Sequence, residues 1–274
     1  MINLIGTSII VLTFNRKNLL KETLDSILAQ TCRDFELIVV DNCSTDGTES
    51  LVKSCSDGRI RYFANQNNGI ISVNLNYGIS QARGEYIAIC DDDDLWLPTK
   101  LEKQVEILKT HPEIDIVSTN CINFDEKGEH RVFVTKKRKS PYLSQAEILI
   151  RNIIAQSAVL FRKSALDGIS GPFSISKDYF TCEDFEFWLR FLSNKKAYFI
   201  EEVLVKYRTH GGVYRTIGIP NLMISKKIVD DLRKQKYVSN KNYALFLARY
   251  YFVYFALLTG LYSLKSKLLY LSPV

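Results

Sequence analysis

Four consecutive carboxylates, Asp91-Asp92-Asp93-Asp94, are the residues whose types and spacing point most directly to chemistry. They follow Glu85-Tyr86-Ile87-Ala88-Ile89-Cys90, an apolar, β-prone run bounded by Gly84, which places them at the C-terminal end of a predicted buried strand. Ligands of α/β sheets bind at the carboxyl ends of strands. Four like charges repel one another, and nothing basic lies close by in sequence to neutralise them. A hard divalent cation with oxygen ligands, Mg2+ or Mn2+, would hold such acids together and bridge them to a phosphorylated substrate. The plainer alternative is a solvated acidic turn that caps the next helix. A second acidic pair, Glu183-Asp184, opens a predicted helix, where the helix dipole by itself favours carboxylates.

The elements that must position these acids alternate between strand and helix. Residues 8–13 form a β-branched apolar run with Phe14-Asn15-Arg16 as its exit loop, and Leu20, Leu24, Ile27 and Leu28 give the next segment one apolar helical face. Residues 35–40 are a second strand, ending in the turn formers and helix caps of residues 41–48. A short strand over residues 60–64 and a helix over residues 71–82 lead to the acids. Such alternation predicts parallel strands joined by right-handed crossovers, a doubly wound sheet over roughly the first 120 residues. The strand ends at Thr13, Asp41 and Asp91 then gather on one edge.

Beyond the acids, Leu101, Val105 and Leu108 form a helical stripe, residues 114–118 read as a strand, and residues 121–134 as a hairpin turning at Glu126-Lys127-Gly128. Residues 144–151 read as a helix and 158–161 as a strand. Phe185, Trp188, Leu189 and Leu192 bury one side of the helix that Glu183-Asp184 opens, and residues 203–210 close the sheet. An apolar content of 46% and a charged content of 24% over 274 residues fit one large domain with or without a small appendage. The net charge of +6 comes partly from Lys136-Lys137-Arg138-Lys139 and partly from a basic C-terminal third. That placement suits an anionic membrane surface or a polyphosphate, and no nucleic acid partner is implied. Cys32, Cys43, Cys55, Cys90, Cys121 and Cys182 show no CxxC spacing and read as free thiols of a reducing compartment. No secretory signal is evident.

Five segments, in order, resemble the family-2 inverting glycosyltransferases of GT-A fold that build bacterial surface polysaccharides. They are Ser8-Ile9-Ile10-Val11-Leu12-Thr13-Phe14-Asn15-Arg16, Val40-Asp41-Asn42-Cys43-Ser44-Thr45-Asp46-Gly47-Thr48, the stretch from Gly84 through the four acids to Leu95-Trp96, Glu183-Asp184, and Tyr207-Arg208-Thr209-His210. The resemblance implies an α/β, GT-A fold, a doubly wound, mostly parallel sheet of nucleotide-binding type. A catalytic domain over residues 1–218 would carry a small helical C-terminal extension over residues 219–274. It also implies a role for each matching residue. Asp93 would hold Mn2+ or Mg2+ with Asp91 as a second contact, and Asp92 would meet the ribose. Asp41 would bond the uracil, and Thr13, Phe14 and Arg16 would line the base and phosphates. Asp184 matches the general base that deprotonates the acceptor hydroxyl. Glu183 and Trp96 would sit at the acceptor, and Arg208 and His210 at the diphosphate. Where the family often carries Arg or Lys before the Asn of its third motif, Leu75 precedes Asn76, so no phosphate role falls there.

The activity so implied is transfer of one sugar from UDP-Glc, UDP-Gal or a UDP-HexNAc donor to a glycan acceptor on a polyprenyl diphosphate. O-antigen, capsule or lipopolysaccharide assembly at the inner face of the cytoplasmic membrane would be the setting, with the protein cytoplasmic and peripheral. Residues 243–262 are apolar and aromatic with Arg249 as their one charge, which predicts an amphipathic or core-packing helix ahead of a membrane span. Rival readings fit less well. A sugar-nucleotide pyrophosphorylase needs a glycine-rich loop that Thr13-Phe14-Asn15-Arg16 is not, and a haloacid-type phosphatase carries its paired Asp after the first strand. A degenerate transferase serving as a scaffold would have no need of both Asp93 and Asp184.

Overall fold

Unbroken runs of Ile, Val and Leu make strands that are buried on both faces, and helices must then cover both sides of the sheet they form. The computed structural model, which describes residues 5–169, 171–209 and 219–259, has this architecture in its first half. Strands β1 (Thr7–Thr13), β2 (Phe35–Asp41), β3 (Ile60–Ala64) and β4 (Tyr86–Asp91) are joined by α1 (Lys17–Leu28), α2 (Thr48–Ser54) and α3 (Ile71–Gln81). They lie in the order β3-β2-β1-β4, and every pairing among them is parallel. A Cβ on Gly78 would stand 2.7 Å from Ile10 Cγ2, so glycine there lets α3 lie close on the sheet.

The second half adds β5 (Leu95–Trp96), α4 (Lys100–Thr110), β6 (Ile116–Asp125), β7 (Gly128–Val132), β8 (Tyr142–Leu143), α5 (Gln145–Ile150), β9 (Val159–Arg162), α6 (Glu183–Phe191) and β10 (Ala197–Arg208). Strand β9 enters between β4 and β6, antiparallel to both, and β10 lies parallel to β6. The full path is β3-β2-β1-β4-β9-β6-β10-β5. The expected strand at residues 114–118 and the first arm of the expected hairpin are a single strand, β6. Strand β10 begins at Ala197 and not at residue 203. Its register shifts at Val203, and the exposed pair Glu201-Glu202 interrupts the alternation that would have marked it.

Two cores form, one on each face. Leu20, Leu24, Ile27, Leu101 and Leu108 fill one, while Leu75, Ile79, Phe187, Trp188 and Phe191 fill the other. The second also takes in Leu222, Ile228, Val229 and Leu232 of α7 (Ile219–Lys234) and Phe246, Tyr250 and Val253 of α8 (Asn240–Leu258). Each such side chain contributes roughly 1.5–3 kcal/mol on burial. Gln145 Nε2 donates to Leu189 O and Tyr237 O, and Asn242 Nδ2 donates to Gln145 Oε1. The C-terminal helices therefore complete one face of the catalytic sheet. Among the described residues, no helix is long and apolar enough to cross a membrane. All six cysteines are free thiols.

Candidate active site

Parallel pairing puts Thr13 opposite Asp41 and Leu12 opposite Asp91, so the three polar strand ends share one edge, as their spacing predicts. Backbone and side-chain bonds then lock the loops together. Asn42 N–H donates to Thr13 O at 2.9 Å, Asn15 N–H to Ser44 Oγ at 2.8 Å, and Asn67 N–H to Asn42 Oδ1 at 2.8 Å. Asn15, Cys43 and Asn68, one in each loop, hold left-handed backbone with φ of 51°, 59° and 53°. Thr181, just ahead of α6, does so at 70° although it is β-branched. Strain of this kind persists only where the surroundings fix it, and it clusters at functional sites.

Asp41 is fully buried. Its Oδ1 accepts from Ser44 N–H and Oγ–H, and its Oδ2 from the Tyr62 hydroxyl at 2.7 Å. Burial and the neighbouring carboxylate push the Tyr62 hydroxyl up from its ordinary value. In this geometry the Asp41 carboxylate holds the loop after β2 in shape through Ser44 and Tyr62. Phe14, half exposed, does sit open at the edge.

The four acids are not equivalent. Asp92 and Asp94 are buried, whereas Asp91 and Asp93 keep some exposure. Asp92 Oδ2 accepts from Thr13 Oγ1–H at 2.7 Å and its Oδ1 from Arg16 Nη1 at 3.1 Å, and the same Nη1 reaches Asp93 Oδ2 at 3.0 Å. Asp94 Oδ1 accepts from Arg208 N–H, and Arg208 Nε donates to Asp93 O, each at 2.8 Å. Burial, followed by the charges of Asp91 and Asp93, pushes the Asp94 carboxyl well above the usual range. Burial also raises Asp92 despite the opposing bonds from Thr13 and Arg16. Arg16 loses solvation, yet Asp92 and Asp93 outweigh that and hold its proton more firmly. Nothing basic lies close by in sequence, and the Arg16 guanidinium that pairs with these carboxylates comes from 76 residues away.

Trp96 and Arg208 both make contacts within the protein. Trp96 is 3% exposed, its Nε1–H donates to Ser157 O at 2.9 Å, and the Lys100 ammonium covers its ring at 3.5 Å from the centroid. At that exposure the indole packs inside the protein. The Arg208 guanidinium bonds Glu22 Oε2 at 2.5 Å and lies 4.4 Å from the Phe124 ring centroid, while its backbone N–H and Nε brace the acid turn. His210 lies outside the described residues. Gln156 and Ser157, which the sequence did not single out, clamp Asp91: Gln156 Nε2 donates to Asp91 Oδ1 at 3.1 Å, and Asp91 N–H to Ser157 Oγ at 2.9 Å. These contacts span 65 and 66 residues, beyond the reach of any local pattern.

A short helix, α6, carries the second acidic pair in its first turn. Asn76 Nδ2 donates to Phe173 O and Phe173 N–H to Asn76 Oδ1, tying α3 to the segment before α6. A cavity of about 300 Å3 opens between them, lined by Asn68, Gly69, Ser72, Ser176, Lys177 and Glu183. Glu186, also in the first turn of α6, is committed to a buried pair with Arg190 at 2.8 Å. Glu183 and Asp184 remain as the partly exposed acids of that turn. Phe173 stacks on Phe187 at 4.2 Å, giving α6 a rigid bed.

A cation fits this donor set in one way. Among the described residues, no three His, Cys, Asp or Glu side chains converge to hold an ion by themselves. Mg2+ and Mn2+ sites of nucleotide enzymes ask for less, one or two carboxylates with substrate phosphates completing the shell. Asp93 and Asp91 supply that much.

Residues 8–169 match the model of Glycosyl transferase family 2. The chain belongs to this family. A glycosyltransferase of Campylobacter jejuni named GalNAc(5)-diNAcBac-PP-undecaprenol beta-1,3-glucosyltransferase is 30% identical over 284 residues, 97% of this chain and 87% of its own. S. aureus TarS 1–349 in complex with UDP-GlcNAc superposes with a TM-score of 0.69 at 19% identity, covering 90% of this chain and 72% of that one. The mannosyltransferase PcManGT from Pyrobaculum calidifontis, in complex with GDP-Man and Mn2+, gives 0.63 at 22%, covering 83% and 64%. At such identities these two structures share the fold, and the glycosyltransferase has the GT-A architecture that its motifs imply.

Proposed function

We propose that this glycosyltransferase moves one hexose or N-acetylhexosamine from a UDP-sugar to a hydroxyl of a glycan carried on a polyprenyl diphosphate, inverting the anomeric centre. The observation that carries the reading is the Arg16-bound acid turn standing at the same sheet edge as the loops of β1 and β2. The TarS complex with UDP-GlcNAc supports the donor class. The undecaprenol-linked acceptor in the Campylobacter relative's name supports the acceptor class. A lipid-borne acceptor would have the protein act at the inner face of the cytoplasmic membrane.

In this reading Asp93, with Asp91 beside it, holds Mg2+ or Mn2+. When bound, the ion supplies Lewis-acid stabilisation of the charge that develops on the leaving diphosphate. Arg16, half exposed, turns from the acids to the diphosphate oxygens. Thr13 keeps Asp92 in place toward the ribose, and Phe14 borders the base. Asp184 accepts the proton of the attacking hydroxyl on the side away from the diphosphate, and Glu183 orients the acceptor.

A panel of UDP- and GDP-sugars, offered with synthetic diphospholipid acceptors and scored by product mass, tests the reading. Transfer from one UDP-sugar is expected. Well-folded protein that releases UDP from no donor in the presence of metal would remove it.

A further inference from the structure

We infer that the outward face of α8, with the basic turn ahead of it, is a docking surface for an anionic lipid bilayer. Phe246, Tyr250 and Val253 turn one side of α8 into the core. Leu245, Tyr251, Phe252, Phe255 and Leu258 stand on the other side, exposed by 39 to 63%. At about 100° per residue these five fall within an arc of about 140° and run for roughly 20 Å along the helix. No charged residue lies on that arc between Lys241 and Thr259. An apolar strip of this kind left open on a folded protein marks a contact surface.

Charge selects the occupant. After Asp231 the chain has seven basic residues and no acidic one, while residues 1–231 sum to −1, so the C-terminal segment holds more than the entire net charge of +6. Arg233, Lys234, Lys236 and Lys241, all exposed, flank the start of the strip. A second copy of the chain would bring this charge against itself. An anionic bilayer attracts it, and the tyrosine and phenylalanine rings suit the headgroup boundary, into which amphipathic helices sink their apolar faces. The docking explains how a protein with no membrane-crossing helix among its described residues reaches a lipid-borne acceptor. It rests on the proposed activity only for that purpose.

Sedimentation of the full chain with vesicles separates the two ideas, because it needs no sugar transfer. Vesicles of phosphatidylcholine and phosphatidylglycerol should bind the protein at least about tenfold more tightly than phosphatidylcholine alone, less so as salt rises. Phe252→Glu and Phe255→Glu should each lower partitioning by about tenfold or more, with an unchanged thermal transition and unchanged UDP release toward a water-soluble acceptor. Lys234→Ala with Lys236→Ala should lower it on anionic vesicles only. Equal binding to both vesicle types, undiminished binding by the glutamate variants, or a dimer broken by those variants without vesicle binding would each overturn the inference. Absence of transfer alongside normal partitioning would count against the activity alone.

Discussion

Arg16 Nη1 and Asp93 Oδ2 meet at 3.0 Å across 77 residues of sequence. A cation on Asp93 must therefore compete with the guanidinium, and a diphosphate arriving with that cation offers the guanidinium another partner. Arg16→Ala should tighten Mn2+ binding to the free protein while weakening UDP binding in the presence of Mn2+ by about 10- to 100-fold, the size of a charge-assisted bond. Titration calorimetry of both ligands checks it. Unchanged UDP affinity would leave Arg16 a mere counter-charge.

Asp93→Ala should abolish the gain in UDP affinity that Mn2+ confers. Chelation with EDTA should bring the parent protein to the level of the variant, and re-added Mn2+ should restore only the parent. A variant that still responds to Mn2+ would transfer the ligand role to Asp91 or elsewhere.

Asp184→Asn should cut the rate of transfer by about 10²- to 10⁴-fold, the usual worth of a positioned base, with UDP affinity near normal. Glu183→Gln should act mainly on acceptor KM. Comparable losses of rate in both variants would contradict the division of roles within the first turn of α6.

Trp96 packs between Ser157 and Lys100. Trp96→Ala should cost about 3–5 kcal/mol of stability, as large aromatic deletions in cores do. Trp96→Phe should cost less and leave acceptor KM unaltered. A raised acceptor KM in a stable Trp96→Phe protein would reinstate the stacking role.

Burial lowers the Lys100 pKa to about 7, although the Trp96 ring offers its charge some compensation. Below pH 7 the folded protein carries that costly proton. From there up to the ordinary lysine pKa the unfolded chain binds a proton that the folded one lacks, so this group makes stability rise with pH, by at most about 1.4 kcal/mol per unit. Lys100→Met should therefore lose that rise, its advantage over the parent being greatest at pH 6 and shrinking toward pH 9. Thermal melts across the series read it directly.

The strand ends at Thr13, Asp41 and Asp91 were legible because apolar runs that stop at turn formers announce both the strand and its polar edge. What those residues touch was not. Arg16, Arg208 and Gln156 reach the acids across 65 to 115 residues, and no window on the chain shows a partner that only the fold delivers. Asp41 illustrates the same limit. Its motif position carries no sign that the Tyr62 hydroxyl, on the neighbouring strand, donates to one of its oxygens. Strand β10 escaped at its start because a bulge breaks the period on which strand reading rests. Tyr243 to Leu258 read as apolar and aromatic throughout, yet only packing decided which side of that helix faces inward.

Strand β9 stitches β4 to β6, and the turn just ahead of it supplies the clamp on Asp91. A polypeptide emerging from the ribosome thus presents Asp91 well before the residues that clamp it. Until residues 156–162 appear, the two halves of the sheet have no seam, and the acid turn lacks its clamp on Asp91. Closure of so distant a contact is slow relative to the local helices. The acid turn is therefore completed only after a segment about 65 residues downstream has folded onto it.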